Sequence, residues 1–172
     1  MKLNRLHDLF ILELQNLYDG EQQITQAIPQ MLEFVHSDEL REALSDHLKE
    51  TQGQIKKLER LAEDFDINLT GKTCLGIEGI IEEALELMQE ATPGWTLDSA
   101  LIGCAQKIEH YEIAGYGTAA SYAKQIQHDE ALNTLLNILQ EEKNSDQKLS
   151  NLAEGLINRQ ADQEMPSAPR AL

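Results

Sequence analysis

Apolar residues recur at steps of three and four from the start of the chain, at Phe10, Leu14, Leu17, Ile24, Ile28, Met31 and Val35. That spacing keeps them on one face of a helix expected over residues 3–36. Pro29 falls inside this stretch, where it removes one backbone donor and bends the last two turns without ending the stripe. A second stripe, Leu40, Leu44, Leu58, Leu61 and Phe65, predicts a helix over about 38–65 with Ser37 or Asp38 as its N-cap. The pattern returns over about 97–125 and 130–158, either side of a brief break at 127–129. Between the second and third long helices, turn residues at 68–73 and Thr92-Pro93-Gly94 enclose a shorter amphipathic helix near 77–90.

Short turns make antiparallel neighbours of helices one and two and of helices three and four. Two hairpins joined by one long connection predict an all-α fold: the single-crossover, ferritin-like four-helix bundle, with a short fifth helix in the crossover. The bundle is assigned to residues 1–159. Residues 160–172, with Pro166 and Pro169, are expected to form a flexible C-terminal tail.

Acids interrupt the apolar stripes near the middle of the helices. Glu21 is the one charged member of the first. The third stripe runs Ile102, Ala105, Glu109, Glu112, Tyr116, Ala119, Ala123, and the fourth runs Leu132, Leu135, Leu139, Glu142, Asp146, Leu149, Ala153, Leu156. In the second, His47, Thr51 and Gln54 take the central places, with Glu50 beside the seam. The centres of antiparallel helices share one level, so these groups converge. A buried carboxylate costs several kcal/mol, and a cluster adds mutual repulsion. Lys49, Lys107 and Lys143 adjoin the acids in sequence and therefore point about 100° away on a helix. Divalent metal is the economical compensation, and a carboxylate-rich set with one imidazole suits iron or manganese. Pairs spaced three or four apart, namely Glu109/Glu112, His47/Glu50, Glu50/Gln54 and Glu142/Asp146, can each serve one site. Tyr18 and Tyr116 lie one turn from Glu21 and Glu112, and read first as core aromatics. Gly115 and Gly117 are expected to allow close helix approach.

With 30 acidic and 14 basic residues, the chain carries a formal charge of −16, which disfavours nucleic acid and anionic membrane surfaces as partners. No stretch approaches the roughly 18 consecutive apolar residues of a membrane span, and the start lacks a signal-peptide pattern. A cytoplasmic location is expected. Cys74 and Cys104 lack the spacing of a metal motif and read as small core residues.

At HLKETQGQ (47–54), IEHYEIAGYGT (108–118) and EEKNSDQKL (141–149), the sequence resembles the bacterial YciE/YciF-like proteins of the ferritin superfamily, across residues 3–158. The resemblance implies a rubrerythrin-like helical fold, a homodimer, an association with stress responses and a dinuclear site for two iron or manganese ions per chain. The wider ferritin-like pattern places Glu on helices one and three and Glu-x-x-His on helices two and four. Glu21, Glu109 or Glu112, Glu50 and Glu142 fit its acids. Its histidines are missing, since Gly53 and Ser145 stand in their places and His47 lies one turn before Glu50. The expected ligand set is thus Glu21, Glu50, Glu109, Glu112, Glu142, Asp146, His47 and Gln54. Redox turnover with peroxide, or dioxygen-driven oxidation of ferrous ion, is the leading expectation. The alternatives are a metal buffer or storage protein without turnover, and a structural stress protein locked by its metal.

Overall fold

The structure, a computed structural model, describes residues 3–164. Four long helices form the bundle: α1 (Leu6–Leu32), α2 (Asp38–Asp64), α4 (Trp95–Gln125) and α5 (Asp129–Leu152). The crossover carries α3 (Leu75–Glu90), and the chain closes with a π turn (Ala153–Ile157) and α6 (Asn158–Gln163). No strand occurs among the described residues. The expected helical bundle with one long crossover and a short fifth helix is therefore the observed architecture.

Pro29 lies inside α1 as expected, on the solvent side, while the stripe from Phe10 through Met31 to Val35 is buried. The helix ends at Leu32, short of His36. Arg41 of α2 reaches back to donate hydrogen bonds to the carbonyls of Leu32 and Val35, satisfying acceptors that a helix end leaves open. Ser37 caps α2 by accepting from the Leu40 amide. Gln127, in the left-handed region at φ 62°, ends the α4 side of the second hairpin.

The helix α3 lies against α1 and α4. A Cβ on Gly76 would strike the Tyr111 ring, and one on Gly115 would fall 2.7 Å from Leu17, so both glycines permit close contacts. Gly117 has open space instead, contrary to its expected role. Because α3 covers a second face of α4, Leu101, Cys104 and Ile108 are buried there as well. Both cysteines are buried core residues.

On α5 the inward face is Ala131, Leu135, Ile138, Glu142, Ser145 and Leu149. The π turn, wider than an α turn, keeps Ala153 and Ile157 on it. Leu132, Leu139 and Leu156, placed inward by the sequence pattern, sit partly buried at the margins. The same rotation turns Asp146 outward and Ser145 inward.

Helix continues past residue 159, and the Glu164 carboxylate accepts from the Trp95 and Thr96 amides at the start of α4. The remainder of the expected tail lies outside the described residues.

Two apolar clusters fill the interior. One gathers Ile24, Ile28, Leu40, Leu44, Leu101, Ile102, Leu149 and Ile157; the other gathers Phe10, Leu14, Leu58, Leu61, Ala119, Leu135 and Ile138. The acid layer lies between them. Alignment of the hairpins at the first cluster's end depends on Asp98, fully buried, whose carboxylate accepts from the His36 amide at 2.8 Å and the Ser37 amide at 2.7 Å. Asp98→Ala strips both amides of their partner, at about 1–3 kcal/mol per buried donor. A drop of that size in urea-unfolding free energy is expected, with Asp98→Asn recovering part of it by restoring one acceptor.

Candidate metal centre

Glu21, Glu109, Glu112 and Glu142 meet in the bundle interior with 0%, 1%, 2% and 0% of their surface exposed. They come from α1, α4 and α5, while α2 contributes His47, Thr51 and Gln54, all buried. Two expected ligands lie at the margin of the layer and not inside it. Glu50 is exposed at the surface, because the inward positions of α2 are 47, 51 and 54 and residue 50 falls beside them. Asp146, on the margin of α5, is half-buried, accepting from Gln106 at 3.1 Å and lying 3.4 Å from His110.

The layer has two halves. In the first, Ser145 donates to Glu109 at 2.6 Å, and His47 Nδ1 lies 3.5 Å from the same Glu109 oxygen. Glu142 joins them: one ligand atom from each of His47, Glu109 and Glu142 falls within 4.8 Å of the others, a spacing that fits one metal ion. Glu142 is in hydrogen-bonding contact with Glu109 and receives the Gln54 amide. In the second half, Tyr116 donates to Glu21, which is in hydrogen-bonding contact with Glu112.

One oxygen on each of the four glutamates has no donor, and no lysine or arginine pairs with any of them among the described residues. Lys57 and Lys148, on α2 and α5, pair outside the layer with Glu141 and Asp46. Two carboxylates in contact need a shared proton or a cation between them. Burial first, then the neighbouring acids, lifts Glu21, Glu112 and Glu142 well above the ordinary carboxylate range. Burial also raises Glu109, to about 7, and lowers His47 to about 4, leaving the imidazole neutral with a lone pair to offer. These donorless oxygens and the neutral imidazole suit a divalent cation. A pocket of about 80 Å³ between α2 and α5, lined by Asp46, His47, Glu50, Asn144, Ser145 and Lys148, connects the first half to the surface.

Three groups in the layer fall outside the expected ligand set: Ser145, Thr51 and Tyr116. Ser145 lies three residues after Glu142, on the inward face that a 3.6-residue period through Leu135 and Ile138 defines. Tyr116 is a hydrogen-bond donor into the layer as well as a core aromatic.

The metal-free chain has a defined pH dependence. Acids whose folded pKa is raised bind more protons folded than unfolded, so their stabilisation is full below about 4.5 and is lost as pH rises through about 7 and beyond. His47, with a lowered value, works oppositely, losing stabilisation as pH falls from 6.5 toward about 4. Four acids outweigh one histidine. Glu109→Gln and Glu142→Gln should therefore leave metal-free stability unchanged near pH 5 and raise it above pH 7, in urea titrations across pH. A fall at both pH values would mark the layer as a salt-bridged structural one.

Residues 5–162 match the family described as Domain of unknown function (DUF892). Protein YciF of Escherichia coli strain K12 is 37% identical over 163 residues, covering 94% of this chain and 98% of that protein. The crystal structure of the E. coli stress protein YciF matches with a TM-score of 0.85 at 37% identity, over 91% of this chain and 99% of that one. YcfI from Rhodopseudomonas palustris, described provisionally as a structural protein, matches at 0.83 and 38% identity, over 87% and 95%. A Xanthomonas campestris protein at 19% identity shares the fold, with a TM-score of 0.73 over 92% and 98%. The family match spans the four bundle helices and all four buried glutamates, and the chain belongs to the DUF892 family, as a YciF-like protein.

Proposed function

We propose that this YciF-like protein is a ferritin-superfamily stress protein whose buried carboxylate layer binds iron or manganese and supports redox turnover, as peroxide reduction or ferrous oxidation. The observation that carries the reading is the set of four buried glutamates, each with a donorless oxygen and none paired with a lysine or arginine among the described residues. The family resemblance implies two ions per chain. Bound iron or manganese would supply the one-electron chemistry, with peroxide or dioxygen as oxidant.

The chain's own residues would bind and orient. Glu109, Glu142 and His47 present oxygens and a neutral nitrogen, Ser145 fixes Glu109, and Tyr116 fixes Glu21. The apolar clusters on both sides exclude bulk water, and the pocket beside His47 is wide enough for a small oxidant. We extend the reading to a cytoplasmic homodimer that engages neither nucleic acid nor membrane. The homodimer is what the family resemblance implies, and the acidic charge is what disfavours nucleic acid and anionic membrane surfaces.

A metal-stabilised structural stress protein is the second reading, favoured by the donors that Gln54 and Tyr116 already aim into the layer. A buffer or storage protein without turnover is the third.

Metal that binds the folded state alone raises stability by about 2.7 kcal/mol at free metal 100-fold above its Kd. Titration with Mn2+ or anaerobic Fe2+ should therefore shift the melting temperature upward in parallel with bound metal by elemental analysis. Hydrogen peroxide consumption by the loaded protein separates turnover from buffering, and a large hollow particle in sedimentation would favour storage.

A further inference from the structure

We propose that the layer seats one transition-metal ion per chain, held by His47 Nδ1, Glu109 and Glu142, and that Glu21, Glu112 and Tyr116 form a hydrogen-bonded wall in place of a second metal seat. This rests on the metal-binding reading above and changes its stoichiometry.

The two halves differ in three respects. Convergence is the first: His47, Glu109 and Glu142 bring three ligand atoms within 4.8 Å of one another, the one such group of histidine, cysteine and acid side chains found among the described residues. Burial and a donorless oxygen are common to all four glutamates, so it is the convergence with His47 that sets Glu109 and Glu142 apart.

The second difference is what α2 offers. A ferritin-like pair of ions draws Glu-x-x-His from each of two helices. The inward positions three apart on α2 are Thr51 and Gln54, a hydroxyl and an amide, and the position three beyond Glu142 is Ser145. Both histidine places of the two-ion pattern thus lack an imidazole, and the α2 acid, Glu50, stands exposed at the pocket beside His47 and not inside the layer. His47, one turn earlier on α2, restores a nitrogen to the first half alone. In the second half Tyr116 donates to Glu21, which is in hydrogen-bonding contact with Glu112, and no imidazole joins that pair.

Access and charge form the third. The pocket between α2 and α5 reaches His47 and Ser145, and neither Glu21, Glu112 nor Tyr116 lines it. Ionised Glu109 and Glu142 neutralise one divalent ion and leave no net charge in the core. Glu21 and Glu112 keep their mutual hydrogen bond and the one from Tyr116.

The test is anaerobic loading of the full chain with Mn2+, with elemental analysis and electron paramagnetic resonance on the desalted protein. The proposal expects one equivalent, the hyperfine pattern of an isolated Mn2+, and coupling to an imidazole nitrogen that His47→Ala removes. Glu109→Gln, near in shape to the native side chain, should lose the bound Mn2+ at a concentration that saturates the wild type. Tyr116→Phe and Glu112→Gln should keep one equivalent, with circular dichroism confirming folded helices in every variant. Two equivalents with an exchange-coupled spectrum would overturn the proposal while leaving the metal-binding reading intact. One equivalent lost on Glu112→Gln and kept in His47→Ala would overturn it as well. Folded protein that takes up no Mn2+ rejects the metal-binding reading itself, and the proposal with it.

Discussion

The central constraint in this bundle is the cost of desolvating carboxylates. Four glutamates lie between two apolar clusters, where an ionised group without a partner costs several kcal/mol. The interior meets that cost with local donors. Ser145 serves Glu109, Tyr116 serves Glu21, and Gln54 serves Glu142, while contacts between acids share what remains. These donors come from three different helices, so the layer exists only when all four long helices are in register. A structure whose polar layer is assembled this way has a specified alignment, since sliding any helix by one turn would set acids against leucines.

Much of this was legible along the chain, and the failures have physical causes. On α1 the stripe was legible because large apolar residues recur from Phe10 to Met31 with Glu21 as the one charged member, and all of these are buried. The residues of the α4 stripe from Ile102 to Ala123 are likewise all buried. On α5 two neighbouring stripes compete. Leu132, Leu139 and Leu156 form a stripe as apolar as Ala131, Ile138 and Ile157 one position away, and it is the second set that faces inward. Choosing the leucines moves the inward face by one residue and exchanges Ser145 for Asp146. On α2 a search for acids selects Glu50, although the buried places three and four residues apart fall at His47, Thr51 and Gln54. The role of Asp98 has no local signal at all. Its two acceptors meet amides more than 60 positions earlier, a match that only the tertiary fold creates.

Surface electrostatics around the layer follow from the same economy. The outer acids, Glu141 and Asp46, hold Lys57 and Lys148 at the α2–α5 seam, where exposed pairs contribute little to stability. Their effect is positional. By engaging these lysines at the surface, they leave the inner acids without a competing ammonium, and a cation entering beside His47 meets carboxyl groups not already paired with lysine. A lysine folded inward would neutralise the layer permanently and close it to any metal.

On the metal-binding reading, the layer suits exchange better than rigidity. An apolar core at the same level would remove the desolvation cost, and replacement of buried ionic groups by well-packed hydrophobic residues is often stabilising by about 1–4 kcal/mol. Retaining four glutamates, a histidine and a tyrosine there sacrifices stability that a purely structural bundle would have kept. The donors present suffice to orient the acids and fall short of saturating them, as the donorless oxygens on Glu21, Glu109, Glu112 and Glu142 show. A partly satisfied network of this kind is the less stable choice in the metal-free chain. On the proposed metal-binding reading, a cation would take the place of the missing donors and couple the stability of this fold to occupancy of its centre.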